Sequence, residues 1–299
     1  MKQPEINILN CEYQQGVLHK LFYRQAQNIH KFLIRKSGNY YLKPNDIISH
    51  RPTLFGYHEP HLEALFFQLS KTHDDFLIDI GANIGMTTVM VGHGFKSIHC
   101  VEPNTIISKI LDVNVCLAGM THKTTIHEIG LGHETKIEEL HIPKFNFGGA
   151  YITNNNDYNN SDTLMQRHNE EKTIQNIKIV EANYWIKNLF SANLNWKNGV
   201  IKIDVEGFES HIFKALLNNV PKDVSVVVVM ENFLDKFEFE AFKSPNHKIE
   251  WFGFYKQKQY LKSFLFKLFG MSSYYKQVVS KVDKSKNAPH DLIAIFYPT

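Results

Sequence analysis

Apolar residues along this chain gather into short runs separated by stretches with a helical rhythm. Phe76 to Ile80, Ser97 to Val101, Thr124 to Ile129, Val200 to Val205 and Val226 to Glu231 read as strands. The unbroken run from Val226 to Met230 reads as a central strand covered on both faces. Between these runs, Gly85 to His93, Thr105 to Leu117 and Phe208 to Leu217 read as helices, and Leu62, Leu65, Phe66 and Leu69 recur at helical spacing just ahead of the first strand. This alternation predicts an α/β fold built on a doubly wound, mostly parallel sheet. Lys136 to Ile142 and Phe147 to Thr153 read as an inserted hairpin, and the Asn-rich run 154–160 as a solvated loop. Ile177 to Glu181 adds a strand and Tyr184 to Phe190 a short helix. Asp291 to Tyr297 reads as a last strand, antiparallel at the sheet edge. Residues 1–55 form an N-terminal extension, helical over Gln15 to Arg35 with a loop at 49–53. Residues 56–299 form one domain.

The first strand carries the strongest chemical signal. Phe76-Leu-Ile-Asp-Ile-Gly-Ala-Asn-Ile-Gly85 runs from a buried strand through a turn containing Gly81 and Gly85 into a helix, and Glu102 closes the second strand. Glycines in such a turn let backbone approach a small molecule, and a carboxylate about 20 residues on can accept from ribose hydroxyls. The candidate binding set for a nucleoside cofactor is therefore Asp79, Gly81, Ala82, Asn83, Gly85 and Glu102. The spacing differs from the G-x-G-x-x-G dinucleotide fingerprint, and Asp79 would repel a pyrophosphate while suiting the ammonium of a methionine-like group. No G-x-x-x-x-G-K-[ST] phosphate loop occurs.

Three further strings follow in order: Asn146-Phe-Gly-Gly-Ala150, Val200-Ile-Lys-Ile-Asp-Val-Glu-Gly-Phe-Glu209 and Val226-Val-Val-Val-Met-Glu231. With the glycine turn they make the chain resemble the FkbM family of class I, Rossmann-like S-adenosyl-L-methionine (SAM) methyltransferases over residues 54–235. The resemblance implies SAM as cofactor and methyl transfer to a hydroxyl of a sugar or a polyketide-like product, with O-methylation of a sugar in a glycan or glycolipid precursor the preferred expectation. Methyl transfer needs in-line positioning and a base near the acceptor proton, so Asp204 and Glu206, beyond the end of their strand, are the catalytic candidates. Lys202 shares a face with Asp204, and Glu231 can meet substrate hydroxyls. The competing readings are a nucleotide-dependent oxidoreductase and a non-catalytic SAM-fold module at a membrane.

Charge and composition refine this picture. The net charge of +3 argues against a general nucleic-acid binder, but residues 256–286 hold eight lysines against Asp283, which leaves the rest of the chain acidic. Inside that basic insertion, near 256–288, Leu261, Phe264, Leu265, Leu268 and Phe269 form a helical stripe beside Lys258, Lys262 and Lys267. It suits a helix packed on the domain, and also peripheral docking on an anionic membrane. No secretion signal or spanning run is evident, and Cys11, Cys100 and Cys116 form no C-x-x-C pair; Cys100 and Cys116 are expected as small core residues. A cytoplasmic protein is expected, without or with contact at the inner membrane face. Sixteen histidines include no H-E-x-x-H or paired Cys/His spacing, so no metal is assigned, a Mg²⁺ held by Asp204, Glu206 and Glu231 being the alternative left open.

Overall fold

The computed structural model describes residues 40–42, 59–153, 171–232, 237–258, 275–284 and 288–299. The expected helix at 15–35, the loop at 49–53, the Asn-rich run and the stripe at 261–269 lie outside the described residues.

Strand β1 (Phe76–Ile80) is buried throughout, as befits a central parallel strand covered on both faces. It pairs in parallel with β2 (Ser97–Val101) and β8 (Asn198–Ile203); β3 (Thr124–His127) continues beyond β2, and β9 (Ser225–Glu231) beyond β8. Three antiparallel strands extend the β9 side, β12 (Asp291–Pro298), β10 (His247–Lys258) and β11 (Tyr275–Lys281). The full order is β11-β10-β12-β9-β8-β1-β2-β3. The last strand is thus not at the sheet edge. Leu292, Ile293, Ala294 and Phe296 are buried on both its faces, and β10 pairs along its outer side.

Helices α1 (Pro60–Leu69), α2 (Met86–Val91) and α3 (Thr105–Leu117) cover one face, where Leu62, Phe66, Val91, Leu111 and Val115 meet Leu77, Ile98, Val200 and Val227. On the other face, Ile186, Phe190, Ile212 and Phe213 of α4 (Ala182–Ala192) and α5 (Glu209–Asn219) meet Phe76, Ile78, Ile201 and Val228. Cys100 is buried as expected, but Cys116 is exposed, because Leu111 and Val115 take the inner side of α3.

The excursion after β3 is larger than a hairpin. β4 (Gly130–Gly132), β5 (Lys136–Pro143), β6 (Tyr151–Ile152) and β7 (Lys172–Glu181) form a second sheet of order β4-β7-β5-β6. β5 and β6 make the expected antiparallel pair, while β7 runs along the other edge of β5 from Lys136↔Ile179 to Pro143↔Lys172. The second sheet stands over the carboxyl ends of β1, β2 and β8, and the space between them is the site. Among the described residues, no helix is long and apolar enough to cross a membrane.

Candidate active site

The backbone after β1 is shaped by its neighbours. Gly81 (φ +80) and Gly85 (φ +83) are left-handed, and so is Asn83 (φ +51), a conformation few side chains tolerate. A Cβ on Gly81 would come within 1.7 Å of the Asp204 carbonyl oxygen, so only glycine lets the first turn lie against the loop after β8. The amides of Gly81 and Ala82 donate to the Val101 carbonyl at 2.9 and 3.1 Å, which ties the turn to the end of β2. Asn114 of α3 donates to the Ile84 carbonyl at 2.7 Å and to the Tyr41 carbonyl at 3.0 Å, while the Tyr41 amide donates to its Oδ1. A described piece of the N-terminal extension is therefore fastened beside the turn.

Glu102 accepts from the Asn83 amide at 2.9 Å through Oε2 and from the Asn104 amide at 2.9 Å through Oε1. Burial pushes its carboxyl up to about 7, against the downward pull of those two amides. Each carboxylate oxygen keeps a second acceptor position, so a ribose hydroxyl can be received there without displacing either amide.

Asp79 sits elsewhere. It is fully buried beneath the turn, accepts from the Thr88 hydroxyl at 2.8 Å, and is paired in register with Lys202. Its Oδ1 has no hydrogen-bond partner among the described residues, and burial holds its carboxyl above the ordinary range. It does not line either cleft described below, and neither does Gly85.

The loop after β8 supplies the other half. The Lys202 ammonium, buried, donates to Asp204 Oδ2 at 2.7 Å. Burial works against that positive charge, but Asp204, Asp79 and Glu59 more than offset it and hold the lysine charged. Glu206 is left-handed (φ +52) and is followed by Gly207 at φ +109. Glu209, the first residue of α5, explains how this bend persists: its buried carboxylate accepts from the Val205 amide at 3.2 Å and the Gly207 amide at 2.9 Å. Two short-range bonds thus set the turn that carries Asp204 and Glu206.

Two adjoining clefts meet at these residues. The first, about 730 Å³ with its open mouth, has Glu102 and Pro103 on the main sheet and Leu140, Tyr151, Ile152 and Ile179 on the second. The other, about 680 Å³, is polar, with Glu59, Asn146, Lys202 and Glu231 in its wall along with Ala82. Gly81, Asn83, Gly148, Asp204 and Glu206 line both. Asn146 accepts from the Gly149 amide at 3.1 Å, a closed turn that brings Gly148 between the clefts.

An apolar slot ending in a carboxylate suits a purine nucleoside: flat walls for the base, an acceptor for the sugar, and glycine backbone where a side chain would block entry. The residues present therefore fit a nucleoside cofactor. Sequence reasoning brought Gly81, Asn83, Glu102, Asp204 and Glu206 to the clefts. It missed Glu59 and the apolar wall of the second sheet, whose positions depend on packing between distant segments.

Fold and site together define a nucleoside-cofactor enzyme of the doubly wound class. Residues 79–267 match the methyltransferase FkbM domain, and the chain belongs to that family; it is a SAM-dependent methyltransferase, not a nucleotide-dependent oxidoreductase. No curated protein matches the chain. Similar solved structures include the precorrin 8w decarboxylase of Methanobacterium thermoautotrophicum (9% identity, 80% of this chain and 90% of that one, TM-score 0.39). Others are the O-methyltransferase from Bacillus cereus solved with S-adenosylhomocysteine (10%, 97% and 93%, 0.38) and the O-methyltransferase TomG from Streptomyces achromogenes solved with SAM (9%, 91% and 96%, 0.42).

Proposed function

We propose that this methyltransferase acts on a hydroxyl oxygen, that of a sugar in a glycan or glycolipid precursor, with the cofactor's nucleoside in the apolar cleft and the acceptor in the polar one. The observation that carries the reading is that Asp204 and Glu206 line both clefts. SAM supplies an electrophilic methyl group whose departure leaves a neutral thioether, so the protein has no leaving anion to stabilise. What remains for the chain is to orient the acceptor and to take its proton. Glu102 anchors the ribose and the glycine turn sets the depth of the cofactor. Asp204, steadied by Lys202, accepts the hydroxyl hydrogen bond and then the proton, while Glu206 receives a neighbouring hydroxyl. A polar wall of carboxylates and Asn146 suits a polyhydroxylated acceptor, since each carboxylate accepts from a hydroxyl.

The test is turnover on a panel of free and lipid-linked glycans, read by the position of the new methyl group. Asp204→Asn keeps the shape and removes the base, so turnover should fall about 10²-fold while SAM affinity changes little. Methylation at nitrogen or carbon, or full activity in Asp204→Asn, would overturn the reading.

A further inference from the structure

At the edge of the polar cleft, one cluster brings together three metal-ligating side chains, of which only Glu231 lines the cleft. Glu231 ends β9, Asp291 begins β12, and the two are direct partners in the antiparallel ladder. His290 precedes Asp291, and the ligating atoms of all three lie within 4.8 Å of one another. The alternative grouping of Asp204, Glu206 and Glu231 does not form such a set among the described residues, and Asp204 is engaged by the Lys202 ammonium.

One pair in the cluster has the spacing of neighbouring metal ligands, and the third ligand lies within 4.8 Å of both. His290 Nδ1 and Asp291 Oδ1 are 3.3 Å apart. Two ligands at about 2.0–2.1 Å from a tetrahedral metal are separated by about 3.3 Å. The other carboxylate oxygen of Asp291 is held by His61 Nε2 at 3.1 Å, and the His61 ring is itself fixed edge-on against Phe254, with centroids 4.8 Å apart. Such an outer hydrogen bond orients a ligating carboxylate. The backbone is also fastened: the Asn232 amide donates to the His290 carbonyl at 2.6 Å, and the Asn232 side chain to the Pro289 carbonyl at 3.4 Å. Ligands therefore come from two paired strand ends.

We propose that Glu231, His290 and Asp291 bind a divalent first-row metal ion of the zinc or manganese kind at the rim of the polar cleft. One imidazole nitrogen with two carboxylates favours these ions over Mg²⁺ or Ca²⁺, which prefer an all-oxygen set. Three protein ligands leave at least one position for water or an acceptor oxygen. Because Glu231 lines the polar cleft, that position lies beside the acceptor; this last step rests on the proposed function, whereas the metal site does not.

The experiment is calorimetric titration of the full-length chain, stripped with chelator, with Zn²⁺ and separately with Mn²⁺, in the absence of SAM. One equivalent should bind to the wild type, at least about tenfold more weakly to His290→Ala and Asp291→Asn, and with unchanged affinity to His122→Ala, which removes an exposed histidine elsewhere. His290 has a side chain 59% exposed, so its replacement should leave the fold intact, which melting temperature verifies. His61→Ala should weaken binding about 10-fold through the lost orientation of Asp291. No saturable equivalent on folded wild type, or equal binding by His290→Ala, overturns the proposal. A parallel SAM titration separates the two readings: a protein that binds SAM but no metal ion keeps the function and loses the site, and one that binds the metal ion but not SAM does the reverse.

Discussion

An L-residue at position 81 has nowhere to put its Cβ. The left-handed backbone alone costs about 1–2 kcal/mol for a non-glycine residue, and the atom would overlap the Asp204 carbonyl. Gly81→Ala should therefore lower the melting temperature and abolish SAM binding together, because the turn and the loop after β8 move as one. Gly119, also left-handed at φ +68, has nothing within 4 Å of its added Cβ and serves as the control: Gly119→Ala should lose stability without losing SAM. Equal behaviour of the two variants would contradict the close approach. Residues of this kind were legible in the sequence because the constraint is local, a glycine at the end of a strand. Asp79 was legible as a carboxylate of the turn but not in its direction. Alternation puts it on the same face as Lys202, beneath the loop, where Thr88 receives it.

At the scale of elements, the bend after β8 depends on Glu209. Burial pushes its carboxyl up to about 7 from an ordinary 4.5, so the folded chain holds a proton that the unfolded chain has already released. Over that interval the folded state binds more protons, and this group's contribution to stability is lost as pH rises. His99, pushed down to about 4 by burial beside His127, works in the opposite sense, so the informative quantity is the difference between wild type and Glu209→Gln. Between about pH 5 and 7.5 the wild type should lose more melting temperature, or gain less, than the variant. Turnover in Glu209→Gln should fall, since the Val205 and Gly207 amides donate to different carboxylate oxygens and Gln would set its NH2 group against one of them. A pH-independent difference would show that Glu209 does not titrate in this range.

Elements with their own apolar rhythm, such as β1, β9, α1 and α3, were readable from the chain. β7 begins five residues ahead of its apolar run, because Lys172 to Asn176 are held by pairing with β5 and carry few buried side chains. β10 and β11 went unread for a similar reason: β10 is ordered by pairing with β12 along one side, and β11, inside the basic segment, by pairing with β10.

For the whole molecule, the second sheet is what turns an open strand rim into two clefts, and its closure over β1, β2 and β8 brings Ile179 to the same cleft as Gly81, a distant part of the sequence. The apolar wall could not be read from local pattern, since Tyr151, Ile152 and Ile179 become one side of a cleft only once β5, β6 and β7 are assembled. Cofactor binding should depend on both sheets: Tyr151→Ala, remote in sequence from the glycine turn, should weaken SAM binding through the lost wall. Tyr151 is fully buried, so its melting temperature must be followed alongside; truncation of a large buried aromatic costs about 3–5 kcal/mol.

The proposed reaction requires SAM to bind between Glu102 and the glycine turn. Calorimetric titration of the full-length protein with SAM and with S-adenosylhomocysteine tests it directly. One equivalent of each should bind, with Glu102→Ala weakening both by about 1–3 kcal/mol, the scale of losing a buried hydrogen-bond acceptor. A folded wild type that binds neither, or a Glu102→Ala variant that binds as tightly, would contradict it.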